Sequence, residues 1–398
     1  MKDLKHLIYF ENLLESANNE LVQQAQKEGK LAMGYTCFHI PEVLLNVDNC
    51  FSVRLRAPNT NSVDIATYYM SNYTCEFARA LTERAIEGGY QFLDAMLGVD
   101  ACSMMNRAME HFELLQVNDK RKFFVTHTDM PYKVTDYTLD SYVKQMRLRV
   151  LDKMTEAYGV DTSDAAIRKA VEEHNEVCKI ISEIAALRKA DNPVITGYEF
   201  HISVLVTYTC PKYLIIDKLR ETLEELKKRK PDAKPQFRAR VALIGSEIDD
   251  PSLTKLIESC GALIVSDRFC FGSVPGREVI ELNDTEDVLT QICRHYMEVA
   301  ECARYISDEK VKQRRDTSDR LAREYNADGI IYEQMKYCDY WGFERALATH
   351  VMSEEYGWPV LSIDRLYITG NSGQLRTRVQ AFVESLEIKR IHKEEGNN

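Results

Sequence analysis

The sequence predicts an α/β protein with two open-sheet halves joined by a helical stretch, and three observations carry that expectation. In the second half, Gly329, Ile330, Ile331 and Tyr332 form a short apolar run, followed by a polar turn holding Cys338 and a helix from Trp341 to Tyr356. In the first half, Phe92 to Leu97 is a similar run, followed by Cys102 and by SMMNRAMEHFELL, where Met105, Ala108, Met109 and Phe112 recur at helical spacing. The halves also share a loose order of strand, loop, helix, strand, cysteine, helix, strand, cysteine, helix. Each half places a cysteine at the carboxyl end of a buried strand, where open α/β sheets keep their ligand sites.

Taken in order, residues 3–28 read as an amphipathic helix ended by Gly29, and Leu31 to Tyr35 as a first strand. In TCFHIPEVLL, Pro41 suits the first turn of a helix. Phe51 to Leu55 is a second strand, Asn59 to Ser62 a turn, and Cys75 opens the helix EFARALTERAIE, closed by Gly88 and Gly89. After the Cys102 unit, Lys122 to Thr126 is a strand. From Leu139 to Ala190 the chain is almost continuously helical, interrupted at 159–162, with DTSD as a cap; Asn192 and Pro193 break it. Further helix to Lys230 precedes the solvated linker KKRKPDAKP. The second half has strands at Ala239 to Gly245 and Ala262 to Ser266, the latter running toward Cys270. Between them lies a helix at Pro251 to Ser259, and a helix from Asp284 to Val299 then delivers Cys302. A charged helix to Tyr325, the Cys338 unit, a strand at Val360 to Ile363 and a helix from Gln374 to Ile388 complete it. The domains are expected at 1–138, 139–235 and 236–398.

Length and composition exclude several functions. At 398 residues the chain can form two full cores, and 45% hydrophobic with 28% charged residues is ordinary for a soluble globular protein. A net charge of -11 argues against nucleic acid or an anionic membrane as main partner, since both reward a basic face. No apolar run reaches membrane-spanning length and no cleavage site follows the first helix, so a cytoplasmic location is expected.

Eleven cysteines without a secretion signal are expected to be reduced thiols. Cys50, Cys178, Cys210, Cys260 and Cys293 lie in apolar or loop contexts and read as inert packing. Cys75, Cys102 and Cys338 each stand where a helix begins, among unpaired backbone N–H groups that favour a thiolate. They lack C-x-x-C or C-x-x-H spacing, which excludes a zinc finger or ferredoxin run. Three dispersed thiolates suit a cluster gripped between domains, with one iron left open to substrate oxygen; the plain alternative is three buried cysteines at strand ends.

The order of GYTCFHIPEVLL, VRLRAP, NYTCEFARAL, GVDACSMMNRAMEHFE, KYCDYWGFE and GNSGQLRTRVQAFVESL resembles, over nearly the whole chain, the 2-hydroxyacyl-CoA dehydratase and benzoyl-CoA reductase family, also called the 2-hydroxyglutaryl-CoA dehydratase D-component family. The resemblance implies two flavodoxin-like (Rossmann-like) three-layer domains with a helical insertion and a 4Fe-4S cluster in the interdomain cleft, held by Cys75, Cys102 and Cys338. It further implies an oxygen-sensitive lyase or reductase: a separate ATP-dependent activator delivers one low-potential electron, with which an acyl-CoA is dehydrated or reduced. The chain lacks G-x-x-x-x-G-K-[ST], which fits an ATPase on another polypeptide.

Cys37, Cys270 and Cys302 match positions of the family's double-cubane cluster proteins, which act on small molecules. In that case the six would divide by half of the chain, as Cys37, Cys75, Cys102 and Cys270, Cys302, Cys338, around an 8Fe-9S cofactor. The partners implied are the activator and either a homologous second subunit or a second copy of the chain; a non-catalytic electron-relay subunit is a third reading. His39, Glu76 and Asp339 are candidate proton donors or hydrogen-bond partners, though helix caps and supporting polar residues are the commoner use. Arg376 and Arg378 suit a phosphate or a surface ion pair, and Arg314 with Arg315 a solvated helix face.

Overall fold

The computed structural model describes residues 2–368 and 372–396. Two four-stranded sheets organise it, each with all strands parallel. The first contains β1 (Leu31–Tyr35), β2 (Cys50–Arg54), β3 (Ala95–Val99) and β4 (Phe124–Thr128) in the order β2-β1-β3-β4. The second contains β5 (Ala239–Glu247), β6 (Ala262–Cys270), β7 (Gly329–Met335) and β8 (Val360–Arg365) in the order β6-β5-β7-β8. Both orders reverse direction beside their first strand, which opens a crevice at the carboxyl ends. Strands β2, β3 and β7 are buried along their whole length, as parallel strands covered on both faces must be. This is the arrangement of two Rossmann-like or flavodoxin-like units, as the sequence predicts.

The helices in chain order are α1 (Leu7–Leu14), α2 (Glu20–Lys27), α3 (Asp64–Tyr69), α4 (Glu76–Ile86) and α5 (Ser103–Leu114) around the first sheet. Then come α6 (Asp136–Gln145), α7 (Asp152–Tyr158), α8 (Asp164–Ala186), α9 (Gly197–Thr209) and α10 (Lys212–Lys228). The second sheet is accompanied by α11 (Ser252–Ser259), α12 (Val288–Val299), α13 (Asp308–Glu324), α14 (Asp339–Glu354) and α15 (Ser372–Gly396). Among the described residues no helix is long and apolar enough to cross a membrane.

Several elements differ locally from the sequence expectation. The first helix is two, because the Asn19 side chain accepts from the N–H groups of Leu21 and Val22 and starts α2 afresh. The segment after Pro41 is a single buried 3-10 turn, Glu42–Asn46, and α3 is an addition. Between α6 and α7 the helix widens to a π-helical turn at Met146–Leu151.

The helical middle separates the two sheets. Helix α9 is buried almost all round, and it touches edge strand β2 on one side and edge strand β6 on the other. Gly197 permits the contact with β6: a Cβ there would stand 2.5 Å from Ile264 Cβ. A helix buried on every face has no amphipathic stripe, which is why its role as a central spacer is invisible in its hydrophobic pattern.

Candidate metal centre

The carboxyl ends of the two sheets supply the site residue by residue. Thr36 and Cys37 follow β1; Cys75 ends the excursion after β2 and precedes α4; Cys102 follows β3 and precedes α5. Cys270 is the last residue of β6, Cys302 lies between α12 and α13, and Cys338 follows β7 and precedes α14. All six cysteines line one cavity, together with Thr36, His39, Phe77, Val99, Met104, Met105, Ser246, Glu247, Tyr340 and Trp341. Cys75, Cys102 and Cys338, from three distant parts of the chain, therefore meet. The cavity has a volume of about 70 Å³. Its mouth continues into a surface groove that shares Cys102, Met104 and Tyr340 and is flanked by Ile306 and Phe343, 79% and 74% exposed.

The remaining five cysteines, Cys50, Cys178, Cys210, Cys260 and Cys293, are buried elsewhere. Chain composition makes all eleven equivalent; the fold divides them.

Three helices aim their amino-terminal ends at the cavity, with Cys75, Cys102 and Cys338 as their N-cap residues. The Cys75 thiol is pushed up to about 12 by burial, against N–H groups of Ala78 and Phe77 that hold it down. Burial likewise raises Cys102 against the N–H groups of Met105 and Met104. Cys338 is held well above the usual thiol range by burial and then by its neighbours Cys75 and Cys102, with the N–H of Trp341 opposing. The helix-start N–H groups pull each thiol down, as the sequence expects, and burial outweighs them, so binding a metal here must expel protons.

The other three thiols form a second group. Cys37 is raised to about 12 by burial, opposed by the Arg54 guanidinium and reinforced by Cys302. Cys270 is held well above its ordinary value by burial, Glu247 and Cys302, with Cys37 contributing less. Cys302 also bears on Cys102 and Cys338, so it links the two groups. Charge contacts run within Cys75, Cys102 and Cys338 and within Cys37, Cys270 and Cys302, and cross between the two sets through Cys302.

The framework beneath the cavity is rigid. Glu333, fully buried in β7, accepts from Ser246 N at 3.0 Å and Ser246 Oγ at 2.9 Å, while Arg365 of β8 pairs with its other oxygen at 2.7 Å. Ser246 Oγ in turn accepts from Met335 N at 2.6 Å. Tyr337 and Phe271, each beside a cavity cysteine, adopt positive φ of 67° and 69°. Bulky residues avoid that region, and such strain collects at functional loops.

Among the described residues, Thr36 Oγ1, His39 Nε2 and Trp341 Nε1 at the wall have no hydrogen-bond partner, and Glu247 Oε2 has only the Arg54 guanidinium beside it. His39 is held well below its ordinary range by burial, Arg304 and Arg54, so its ring is neutral. Glu247 is pushed up to about 7 by burial, against Arg54, whose guanidinium lies 3.9 Å away. Sequence reading missed Glu247, Thr36, Arg54 and Arg304. Thr36 directly follows β1, and Arg54 and Glu247 end β2 and β5, a polar residue at the carboxyl end of an apolar strand that sequence can show; Arg304 lies between two helices and carries no such signal.

The other sequence candidates are accounted for. Glu76 Oε2 accepts from the N–H groups of Tyr367 and Ile368 at 2.5 and 3.2 Å, tying α4 to the end of β8. Asp339 lines the outer groove. Arg376 donates to Ser259 Oγ, and Arg378 to the Ser362 carbonyl. Arg314 is no solvated residue: it is buried, bonded to Glu344 at 2.5 Å, and donates to the Cys302 and Tyr305 carbonyls.

Among the described residues no three His, Cys, Asp or Glu groups converge tightly enough to hold a single ion. Cysteine ligands of a polynuclear cluster each bind a different metal atom, so they stand farther apart than the ligands of one ion.

Fold and cavity together define a class: paired parallel α/β units with a thiol-lined crevice between their carboxyl ends. Within it, the chain belongs to the 2-hydroxyglutaryl-CoA dehydratase D-component family, whose model matches residues 37–386. It is 25% identical over 378 residues to the (R)-phenyllactyl-CoA dehydratase beta subunit of Clostridium sporogenes, covering 95% of this chain and 97% of that one. It is 21% identical to the beta subunit of lactoyl-CoA dehydratase of Anaerotignum propionicum, over 90% of this chain and 92% of that one. The C subunit of benzoyl-CoA reductase of Thauera aromatica is also 21% identical, over 80% of this chain and 81% of that one. The family is one of dehydratases and reductases, and these relatives are named as subunits.

Proposed function

We propose that the cavity binds an iron-sulfur cofactor and that the chain is the iron-sulfur subunit of a dehydratase or reductase of this family, acting on an acyl-CoA. A separate ATP-dependent activator protein supplies the low-potential electron, and a homologous second subunit or a second copy completes the enzyme. The observation that carries this is the selective convergence of six of eleven cysteines on one cavity.

The residues present fit such a group. The donor set is all thiol, which suits iron-sulfur chemistry better than a hard cation. The wall also carries a donor-only group, Trp341 Nε1, with no protein acceptor. Cys75, Cys102 and Cys338 would hold a 4Fe-4S unit, and Cys37, Cys270 and Cys302 a second. When bound, the cofactor supplies one-electron chemistry at low potential, and an iron lacking a protein sulfur can accept a substrate oxygen.

The chain's own residues prepare that chemistry. Backbone N–H groups of Phe77, Ala78, Met104, Met105 and Trp341 support the thiolates. Phe77, Val99, Met104 and Met105 exclude water from the wall. Thr36 and His39 leave polar atoms at the wall that can orient a bound molecule.

A second reading is favoured by the presence of both cysteine groups in one cavity: a double-cubane reductase acting on small molecules. Protein purified without oxygen and assayed for iron tests both. About four irons per chain support the single cluster and about eight the double one. A colourless, iron-free preparation overturns the proposal. Acyl-CoA binding by this chain alone excludes the electron-relay reading.

A further inference from the structure

Arg304 lies two residues after Cys302 in the connection between α12 and α13. Its side chain is 1% exposed, yet none of its three guanidinium nitrogens bonds a carboxylate or carbonyl among the described residues; the Tyr132 hydroxyl is the one polar group that supports it. The cation rests on aromatic faces, 4.0 Å from the Tyr132 ring centre and 5.3 Å from that of Tyr305. Asp129, an acid that feels its charge, is itself exposed. The other buried arginine near the thiols, Arg54, is different: it has the Glu247 carboxylate 3.9 Å away and the Phe271 ring at 3.9 Å.

A guanidinium removed from water is costly; aromatic faces offset part of that cost, and an anion close by offsets more. The cavity side is where one can sit. The Tyr305 ring beside Arg304 stands edge-on to His39 of the cavity wall, ring centres 5.7 Å apart, so the cation is one aromatic ring away from the cavity. For Cys75, Cys102 and Cys338 the main groups opposing burial are helix N–H groups.

This inference rests on the iron-sulfur reading above. We infer that Arg304 is the buried counter-cation for the Cys37, Cys270 and Cys302 end of the cofactor, a positioning residue that makes this end easier to reduce. Reduction adds one electron and therefore one negative charge beside the guanidinium, so the reduced form gains more from Arg304 than the oxidised form does.

The test uses iron-loaded wild-type protein, R304Q and R304K, titrated without oxygen against dithionite and followed by visible absorbance, with iron content and melting measured beside it. R304Q is expected to keep its iron, to reach about tenfold less reduced cofactor relative to oxidised at one fixed potential, and to melt no lower than wild type when both are stripped of metal. R304K is expected to behave as wild type. An iron-bearing R304Q with unchanged reduction overturns the inference, as does an R304Q that melts equally low with and without metal, since packing alone would do that. If R304Q loses iron, R304K decides: retained iron supports the charge argument and lost iron overturns it. An iron-free wild type instead overturns the parent reading.

Discussion

Cys37 Sγ lies 3.4 Å from His39 Nδ1, two residues along the same turn after β1. His39 Nε2 then remains without a partner at the cavity wall, while Tyr142 donates to the His39 carbonyl at 2.8 Å and fixes the turn. The second cysteine group therefore has its own support. Cys37→Ser is expected to lose about half of the bound iron and leave a cubane on Cys75, Cys102 and Cys338. Iron and sulfide analysis of the anaerobic variant checks this; unchanged iron would remove Cys37 from the ligand set.

Cys338 meets both Cys75 and Cys102, so Cys338→Ser should lose most of the iron and its brown colour. Cys178, which contacts His174 at 3.3 Å away from the cavity, provides the control. Cys178→Ser should keep the iron of the parent protein, and equal loss from both variants would contradict the assignment.

Glu42 is the acid at the centre of a buried group with Arg277 at 2.8 Å, Lys212 at 3.2 Å and His174 at 3.3 Å, and it accepts from Tyr35 Oη. It joins the first sheet to α8, α10 and the connection after β6. Glu42→Gln leaves the cations uncompensated and should cost about 3–5 kcal/mol. Urea unfolding measures it, and a loss below about 1 kcal/mol would show that water relieves the site.

The same group predicts a pH dependence. Burial alone would lower His174, but Cys178 and Glu42 win and push it up to about 9, above the ordinary 6.5. A raised histidine pKa contributes stability that is full below 6.5 and lost as pH rises through about 9. Glu258, pushed up to about 7 by burial despite three backbone N–H groups, acts in the same direction from 4.5 upward. Unfolding midpoints should therefore fall between pH 6.5 and 9, and His174→Gln should flatten the decline. A midpoint that rises over that range would contradict the pairing.

Gly245 lies where β5 meets β7: a Cβ there would stand 2.6 Å from the Glu333 carbonyl oxygen and 2.7 Å from Glu333 Oε2. Gly245→Ala is expected to destabilise the fold by about 1–3 kcal/mol and to loosen Ser246 beneath the cavity. Thermal melting, with iron retention beside it, tests both effects.

The sequence by itself determined the α/β class, the two halves and the special status of Cys75, Cys102 and Cys338, because periodicity and helix starts are local. It also separated the five packing cysteines from the six. The tertiary structure decided what depends on strand order. By setting the carboxyl ends of both sheets against one crevice, it brought Cys37, Cys75 and Cys102 together with Cys270, Cys302 and Cys338 on a single cavity. Burial was also its decision: it turned thiols that helix ends would ionise into protonated ones, and made Arg314 a buried anchor. Charge in a protein depends on what surrounds a group in space, and neighbours so far apart in the chain leave no pattern along it.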